Sequence, residues 1–301
     1  MTSERFAACA PLDHDVGSPD PHGCGPPDDR SRPLGHDQLV LGLRSLGLRP
    51  GQALLIHCSL RRVGPVDGGA ATLMGAIRDV AGPAATLVVP AQTAGNSLTS
   101  RAFRAATADL DPDAYARYIA AMPGFSPVST PSVGMGAFAE HLRTRPQARR
   151  SNHPQSSFAA LGPLAASAMA VHDLDCHLGE RSPLGWLYDA DAAIVLLGTD
   201  YTVCTAFHLA EYRLCREPPL RSYQCFIGSG TARTPCEFTD IDLDDSDFGQ
   251  IGAALDCANW PDVGSAPHRG RVGLTTCRLV PMRPAVDFAR DWMNTHRGAS
   301  T

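Results

Sequence analysis

The sequence predicts an α/β fold, because short apolar runs alternate with helical patterns along most of the chain. Continuous apolar runs at 53–58, 86–90 and 192–198 suit strands that are buried on both faces. A glycine-containing loop and a helix at 70–81 separate the first two runs. This order is a βαβ unit, whose crossover we expect to be right-handed.

Helices are predicted where apolar residues recur at helical spacing, beginning with the leucines of 36–48. The other predicted helices are 113–121, 136–143, 160–170, 202–217 and 285–295.

An edge strand is predicted at 224–230, and the acidic stretch 238–246 is predicted to be surface. Residues 1–35 are rich in Pro, Gly, Asp and Ser and poor in apolar side chains, so we expect a disordered or loosely attached tail. Residues 36–301 are then one domain.

Composition excludes several classes of protein. With 301 residues, 44% of them hydrophobic, the chain can bury a sizeable core. A formal net charge of −5 argues against a nucleic-acid binder. No apolar run is long enough to span a bilayer, and no signal core is present, so we expect a cytoplasmic protein. The ten cysteines are scattered without zinc spacing, so we expect no metal.

Histidines in the second half of the chain give the strongest indication of chemistry, because imidazole exchanges protons near neutral pH. His172 lies before a Gly/Ser/Pro turn, in a connection where catalytic groups are often found, and His177 competes for the same role. His208 and Glu211 lie three residues apart on a predicted helix, so they can interact and line a cleft together. A capping or surface histidine is the alternative for His172 and His177, and a structural ion pair on a solvated helix is the alternative for His208 with Glu211.

Two donor-rich segments are candidate anion sites. The glycines of the loop 59–69 would let backbone N–H groups approach an anion beside the next helix N-terminus, and Arg61 and Arg62 add positive charge. The segment 149–158 holds two arginines, three serines, Asn, Gln and His, which suit a phosphate. An ordinary turn and a solvated polar loop are the respective alternatives.

Five segments, each modest alone, occur in a specific order. They are Ile56-His57-Cys58-Ser59-Leu60 with Val63-Gly64 and Gly68-Gly69, Arg150-Ser151-Asn152-His153-Pro154 with Ser157-Phe158, His172-x-Leu174 with Gly179 and Ser182-Pro183-Leu184, Leu196-Leu197-Gly198, and Thr205-x-x-His208-x-x-Glu211. Together they resemble the aminoglycoside 3-N-acetyltransferase family, from about residue 36 to the C-terminal helix. The resemblance implies the antibiotic N-acetyltransferase fold, a central mixed sheet flanked by helices that differs from the GNAT fold.

The resemblance also implies a reaction and its site. An acetyl group passes from acetyl-coenzyme A, the co-substrate, to an amine. His172 matches the catalytic histidine, and Glu211 with His208 matches its supporting cluster. Coenzyme A is implied to bind at two walls: His57, Ser59, Leu60, Arg61, Arg62, Val63, Gly64, Val66, Gly68 and Gly69 in the first, and Ser151, His153, Ser156, Ser157 and Phe158 in the second.

We therefore expect direct transfer in which His172 takes the amine proton and Glu211 stabilises the imidazolium. Backbone N–H groups near Ser59 or the hydroxyl of Thr205 would stabilise the thioester oxyanion. The expected acceptor is the 3-amino group of an aminoglycoside, a polycationic small molecule whose acetylation confers resistance.

Phe125-Ser126-Pro127 departs from the family's Phe-Asp-Pro, so a different amine, from a peptide antibiotic or a biosynthetic intermediate, is the main alternative. A non-catalytic ligand-binding protein on the same fold is another. The expected partners include neither nucleic acid nor membrane, and both a monomer and a homodimer stay open.

Overall fold

The computed structural model describes residues 32–228 and 232–297. Almost all of the predicted tail, residues 1–31, lies outside the described residues, as do 229–231 and 298–301. Within the described part, no helix is both long and apolar enough to cross a membrane.

Strands of the described chain form one central sheet and a separate hairpin. They are β1 (Ala53–Cys58), β2 (Thr86–Pro90), β3 (Arg149–Arg150), β4 (Phe158–Leu161), β5 (Ala193–Leu197), β6 (Leu220–Ile227), β7 (Thr234–Ile241), β8 (His268–Val272) and β9 (Thr275–Pro281). The sheet has the order β3-β4-β2-β1-β5-β9-β8, and β6 pairs with β7. β1 is parallel to β2 and β5, and the other neighbours are antiparallel, which confirms the mixed sheet.

Helices cover both faces of this sheet. They are α1 (His36–Ser45), α2 (Leu60–Val63), α3 (Gly69–Ala81), α4 (Arg101–Thr107), α5 (Pro112–Ala121), α6 (Gly136–Arg143), α7 (Ala165–Ala168), α8 (Pro183–Asp189), α9 (Phe207–Glu211), α10 (Phe248–Cys257) and α11 (Met282–His296).

The apolar runs of β1, β2 and β5 are continuous because each strand is buried on both sides. Alternate side chains of β1 enter different cores. Leu55 packs with the side chains of α8, α9, α10 and α11, whereas Leu54 and Ile56 pack with those of α1, α3 and α6. The sequence-based strands at 53–58 and 86–90 and the helix at 136–143 are confirmed.

The predicted helix at 160–170 is wrong. Residues 158–161 form β4, which pairs with β2, and only Ala165–Ala168 is helical. Phe158 and Ala160 enter one core while Ala159 and Leu161 enter the other, so pairing and burial override the helical preference of alanine.

The predicted helix at 202–217 is also too long. Residues Tyr201–Val203 form a 3-10 turn, started by the Asp200 side chain accepting from the Thr202 N–H, and α9 covers only Phe207–Glu211. Of the edge strand predicted at 224–230, residues 224–227 belong to β6, and residues 229 and 230 lie outside the described residues. The stretch 238–246, predicted to be surface, begins inside β7, where Phe238 and Asp240 are buried.

Candidate active site

A cleft of about 360 Å³ lies at the carboxyl ends of the parallel strands β1 and β5. In the sheet, β2 lies next to β1 on one side, and β5, which comes later in the chain, lies next to β1 on the other side. Open α/β sheets bind their ligands in the crevice where the strand order reverses in this way. The position of the cleft therefore follows from the topology.

Five parts of the chain form the cleft walls. The end of β1 supplies His57 to Ser59, the segment after β2 supplies Gln92, and the residues leading into α6 supply Gly134 to Gly136. The turn after β5 with α9 supplies Thr205 and His208, and the start of α10 supplies Asp245 and Phe248.

His208 and Glu211 form the titratable pair of this cleft. The Nδ1–H of His208 donates to Oε2 of Glu211 at 2.6 Å, because a carboxylate oxygen can only accept. In the described residues no group hydrogen-bonds to Nε2. The ring packs on Phe248, with 4.7 Å between centroids, and lines the cleft. Nε2 of a neutral His208 therefore carries the lone pair.

The Glu211 carboxylate is buried and fully engaged. Its Oε1 accepts from the backbone N–H of Asp244 at 3.0 Å and from Nη1 of Arg297 at 2.6 Å. Its Oε2 accepts from His208. Because each oxygen has its own donors, the carboxylate holds the imidazole of His208 in one orientation.

Two other titratable groups of the cleft are held uncharged by burial. Burial lowers the pKa of His57 to about 4, so this imidazole is neutral at pH 7. Burial also raises the pKa of the Cys58 thiol to about 12. A thiol that stays protonated is a poor nucleophile, so the geometry does not favour an acetyl-cysteine intermediate.

His172 lies outside this cleft, beside a separate pocket that also includes Phe125 and Leu174. Its Nε2 is 2.7 Å from the carbonyl oxygen of His177 and must donate, because a carbonyl only accepts. Its Nδ1 then accepts from the Ser151 hydroxyl at 2.8 Å. Burial lowers the pKa of His172 to about 4. Both ring nitrogens of His172 are therefore hydrogen-bonded within the protein.

The structure does not bring Glu211 into contact with His172, the histidine that it was expected to orient. Glu211 pairs with His208, and His172 pairs with Ser151 and the backbone of His177. The physical reason is that the connection carrying His172 lies under the β6–β7 hairpin, whereas α9 follows β5 and faces the crevice.

His177, the competing candidate, is also engaged on both nitrogens. Nδ1 is 2.7 Å from Oδ2 of Asp240, and Nε2 is 3.0 Å from Oε1 of Gln155. Asp240 lies on β7 and also accepts from the Tyr212 hydroxyl at 2.6 Å. These hydrogen bonds connect Asp240 of the β6–β7 hairpin to His177 and Tyr212 in the rest of the protein.

The second predicted coenzyme A wall is buried instead of lining the cleft. Nδ1 of His153 accepts from the backbone N–H groups of Gln155 and Ser156, and burial lowers its pKa to about 2. Ser151 and Ser157 are fully buried, and each hydroxyl bonds within the protein. None of the five predicted residues lines the cleft, and all of their side chains are buried: Ser151, His153, Ser156, Ser157 and Phe158.

Some residues of the first predicted wall lie at the cleft and others do not. His57 and Ser59 line the cleft, and Arg61 and Arg62 are exposed on α2 directly after it. Val63 is buried.

The later part of the loop 59–69, from Gly64 onwards, leads away from the cleft. Gly64 packs near Leu274, Val66 bridges to Leu34, and Gly68 begins the turn into α3 with φ of 70°. The cleft lining includes none of Leu60, Val63, Gly64, Val66, Gly68 and Gly69.

Several cleft residues were missed from the sequence. Thr199 follows directly after β5, and its position at a strand's carboxyl end is a signal that could have found it. Gln92, Met135, Asp245 and Phe248 carry no such local signal, because they reach the cleft only through tertiary packing. Among the residues that the structure describes, no group of three His, Cys, Asp or Glu side chains could hold a metal ion.

A model of the family described as aminoglycoside 3-N-acetyltransferase matches residues 55–294. The chain belongs to this family. The match runs from within β1 to within α11 and includes every residue that lines the cleft. This acetyltransferase is therefore an enzyme, and the crevice that carries His208 and Glu211 is its candidate active site.

Named relatives agree with this assignment. This acetyltransferase is 34% identical over 252 residues to the SPbeta prophage-derived aminoglycoside N(3')-acetyltransferase-like protein YokD of Bacillus subtilis (strain 168), covering 83% of this chain and 89% of the relative. It is 31% identical over 281 residues to aminoglycoside N(3)-acetyltransferase III of Pseudomonas aeruginosa, covering 90% and 98%.

Solved structures share the fold. The crystal structure of the Bacillus subtilis YokD protein matches with a TM-score of 0.80 at 30% identity, covering 90% of this chain and 97% of that chain. The aminoglycoside acetyltransferase AAC(3)-Xa matches with 0.76 at 30%, covering 88% and 94%. AAC-VIa bound to sisomicin matches with 0.73 at 28%, covering 89% and 100%.

Proposed function

We propose that this enzyme transfers the acetyl group of acetyl-coenzyme A to the 3-amino group of an aminoglycoside, with His208 as the general base. One observation carries the proposal. His208 lines the crevice with Nε2 unpartnered among the described residues, while its Nδ1–H is held by the buried carboxylate of Glu211. The base role expected for His172 therefore moves to His208, and the pairing partner stays Glu211.

The proton path follows from this geometry. Nε2 of His208 accepts the proton that the amine loses as its nitrogen attacks the thioester carbonyl carbon. Glu211 stabilises the imidazolium that forms. When the carbon–sulfur bond breaks, His208 returns the proton to the departing sulfur, so that the products are an amide and the free coenzyme A thiol.

The thioester oxygen gains negative charge during attack and needs a donor. The backbone N–H of Ser59 already donates to the Leu197 carbonyl at 2.9 Å, which leaves it unsuited. The hydroxyl of Thr205 lines the cleft and has no hydrogen-bond partner in the described residues. We assign the oxyanion role to Thr205.

The cleft suits the coenzyme chemically. Ile56, Pro90 and Met135 give it apolar surface for a pantetheine arm. Arg61 and Arg62, on α2 directly after Ser59, form no ion pair among the described residues and are exposed. Guanidinium groups of this kind bind phosphate oxygens well, so these two would meet the coenzyme phosphates.

The acceptor amine would approach from the side of α10. Asp245 lines the cleft, and its side chain is about half exposed, with Arg101 3.9 Å away. A carboxylate at this position would hold an ammonium group of a polycationic acceptor. Binding of an aminoglycoside is consistent with the neighbour AAC-VIa, whose structure contains sisomicin.

One observation favours a second acceptor class. Of the described residues that line the cleft, Asp245 alone is acidic. A polycation would be expected to meet several carboxylates, so an amine with fewer charges is the alternative acceptor.

A thiol-release assay with acetyl-coenzyme A and a panel of aminoglycosides and simpler amines tests the proposal. Mass spectrometry then locates the acetylated nitrogen. His208→Ala should lower kcat/KM by about 10²–10⁴. His268→Gln, on the distant strand β8, is the matched control and should leave turnover unchanged. Normal turnover by His208→Ala would disprove the base assignment, and thiol release with a simpler amine but with no aminoglycoside would favour the alternative acceptor.

A further inference from the structure

Arg297, which directly follows α11, contacts residues that adjoin the lining of the proposed catalytic cleft. Its Nη1 donates to Oε1 of Glu211 at 2.6 Å. Its Nε and Nη2 form a two-pronged pair with Asp247 at 2.7 and 2.6 Å, and Nη2 also donates to the Asp244 carbonyl oxygen at 2.7 Å. One guanidinium group thus joins three elements: α9, the turn before α10, and α11.

The first consequence concerns Glu211. Arg297 and the Asp244 N–H both hold Oε1, so that Oε2 is the oxygen turned towards His208. The Glu211 side chain is only 3% exposed, and water cannot replace a missing donor there. Without Arg297, a buried carboxylate would lose its main compensating charge and one of its fixed contacts.

The second consequence concerns the cleft wall. Asp244 and Asp247, which Arg297 holds, flank Asp245, and Phe248 follows at once. Asp245 and Phe248 both line the cleft, and Phe248 supports the ring of His208. Arg297 therefore fixes the backbone on which one wall of the acceptor side depends.

We propose that Arg297 is a positioning residue for acetyl transfer, which acts through Glu211 to hold His208 in its productive orientation. This inference rests on the proposed function of His208 as the base. Arg297 does not line the cleft and is not assigned contact with either substrate.

The fork geometry of arginine explains why this residue suits the position. A planar guanidinium offers five donors in fixed directions, and here they serve Glu211, Asp247 and a backbone carbonyl together. The ammonium of a lysine could satisfy Glu211, but it could not also form the two-pronged pair with Asp247. A methionine would fill similar space and provide neither charge nor donor.

The charge of Arg297 also sets how strongly Glu211 stabilises the imidazolium of His208. Loss of the guanidinium leaves the Glu211 charge more available to His208⁺, so the acidic limb of the pH profile of kcat/KM should move to higher pH. The charged or titratable groups around His208 that matter for this limb are Glu211 on α9, Arg297 after α11, Asp244, Asp245 and Asp247 before α10, and His57 on β1.

Four variants test the inference with acetyl-coenzyme A and the best acceptor from the panel. Arg297→Met should lower kcat by about 10–100-fold, since small misplacements of catalytic groups have effects of this size, with a smaller change in the KM for acetyl-coenzyme A. Arg297→Lys should recover part of the lost kcat and remain testable if the methionine variant folds poorly. Asp247→Asn breaks the two-pronged pair without touching Glu211 and should lower kcat less than Arg297→Met. Arg290→Gln, on α11 and paired with Asp287 and Asp291, is the control.

Two results would overturn the inference. One is unchanged kcat and an unmoved acidic limb in both Arg297 variants, while His208→Ala is inactive. The other is an equal loss in Asp247→Asn and Arg297→Met, which would place the effect in the turn and not in Glu211. A fully active His208→Ala would instead show that the proposed base is wrong, so failure of the two proposals can be told apart.

Discussion

Replacing His172 by Ala should destabilise the protein while leaving catalysis nearly intact. The change removes the acceptor of the Ser151 hydroxyl and one donor to the His177 carbonyl oxygen. That carbonyl keeps a donor, because the Ser156 hydroxyl lies 3.0 Å away. The Ser151 hydroxyl, on a side chain with no exposure, loses its acceptor.

The size of the effect follows from these contacts. Leaving a buried hydroxyl without its acceptor costs about 1–3 kcal/mol. Loss of the ring contacts with His153 and Phe158, at centroid distances of 4.7 and 6.1 Å, leaves a partial cavity and adds to this. We expect the free energy of unfolding to fall by about 3 kcal/mol, which for a domain of this size lowers Tm by about 6–12 °C.

The assay is thermal unfolding together with steady-state thiol release at a temperature well below both midpoints. The expected result is a lower Tm with kcat/KM within about threefold of the parent, since no catalytic proton transfer is lost. Asn152→Ala, next to Ser151 on an exposed side chain, provides the matched control. An unchanged Tm with a loss of 10² or more in kcat/KM, the range of a missing base, would refute the structural role of His172.

Two further outcomes follow from the buried groups. Burial lowers the pKa values of His57 and His172 to about 4, below the usual 6.5. The unfolded chain therefore binds more protons between pH 6.5 and 4, and stability should fall across this window as pH decreases, by up to about 3 kcal/mol per residue. Urea unfolding at several pH values measures this, and a flat profile would contradict it. Because burial raises the pKa of Cys58 to about 12, Cys58→Ala should retain activity, and iodoacetamide at pH 8 should leave Cys58 unlabelled in the folded enzyme by peptide mass spectrometry.

The central strands could be predicted because their burial is recorded locally. β1, β2 and β5 are apolar without alternation, as strands covered on both faces must be. The error at 160–170 has the opposite cause. Alanine favours a helix when considered alone, and only the pairing of β4 with β2 makes Ala159 and Ala160 extended.

In the candidate site, too, contacts between residues close in sequence could be predicted, whereas contacts between distant residues could not. The contact between His208 and Glu211 depends on a spacing of three residues, which the sequence displays. The pairing of Glu211 with Arg297 joins residues 86 positions apart, and no local pattern indicates it. The role predicted for His172 rests on its residue type and its position in a connection, whereas its two hydrogen bonds are visible only in the folded protein.

The short helix α9 carries both the proposed base His208 and the carboxylate of Glu211 that holds it. The relative position of these two side chains is therefore set by α9 itself and does not depend on the sequence of the surrounding loops. If the proposed base is correct, substitution of Gln92 or Asp245, which line the cleft from other segments, should change the acceptor preference while leaving proton transfer in place. Acceptor preference is thus expected to change without loss of proton transfer. Insertion of a single residue between His208 and Glu211, in contrast, would break their contact and abolish proton transfer.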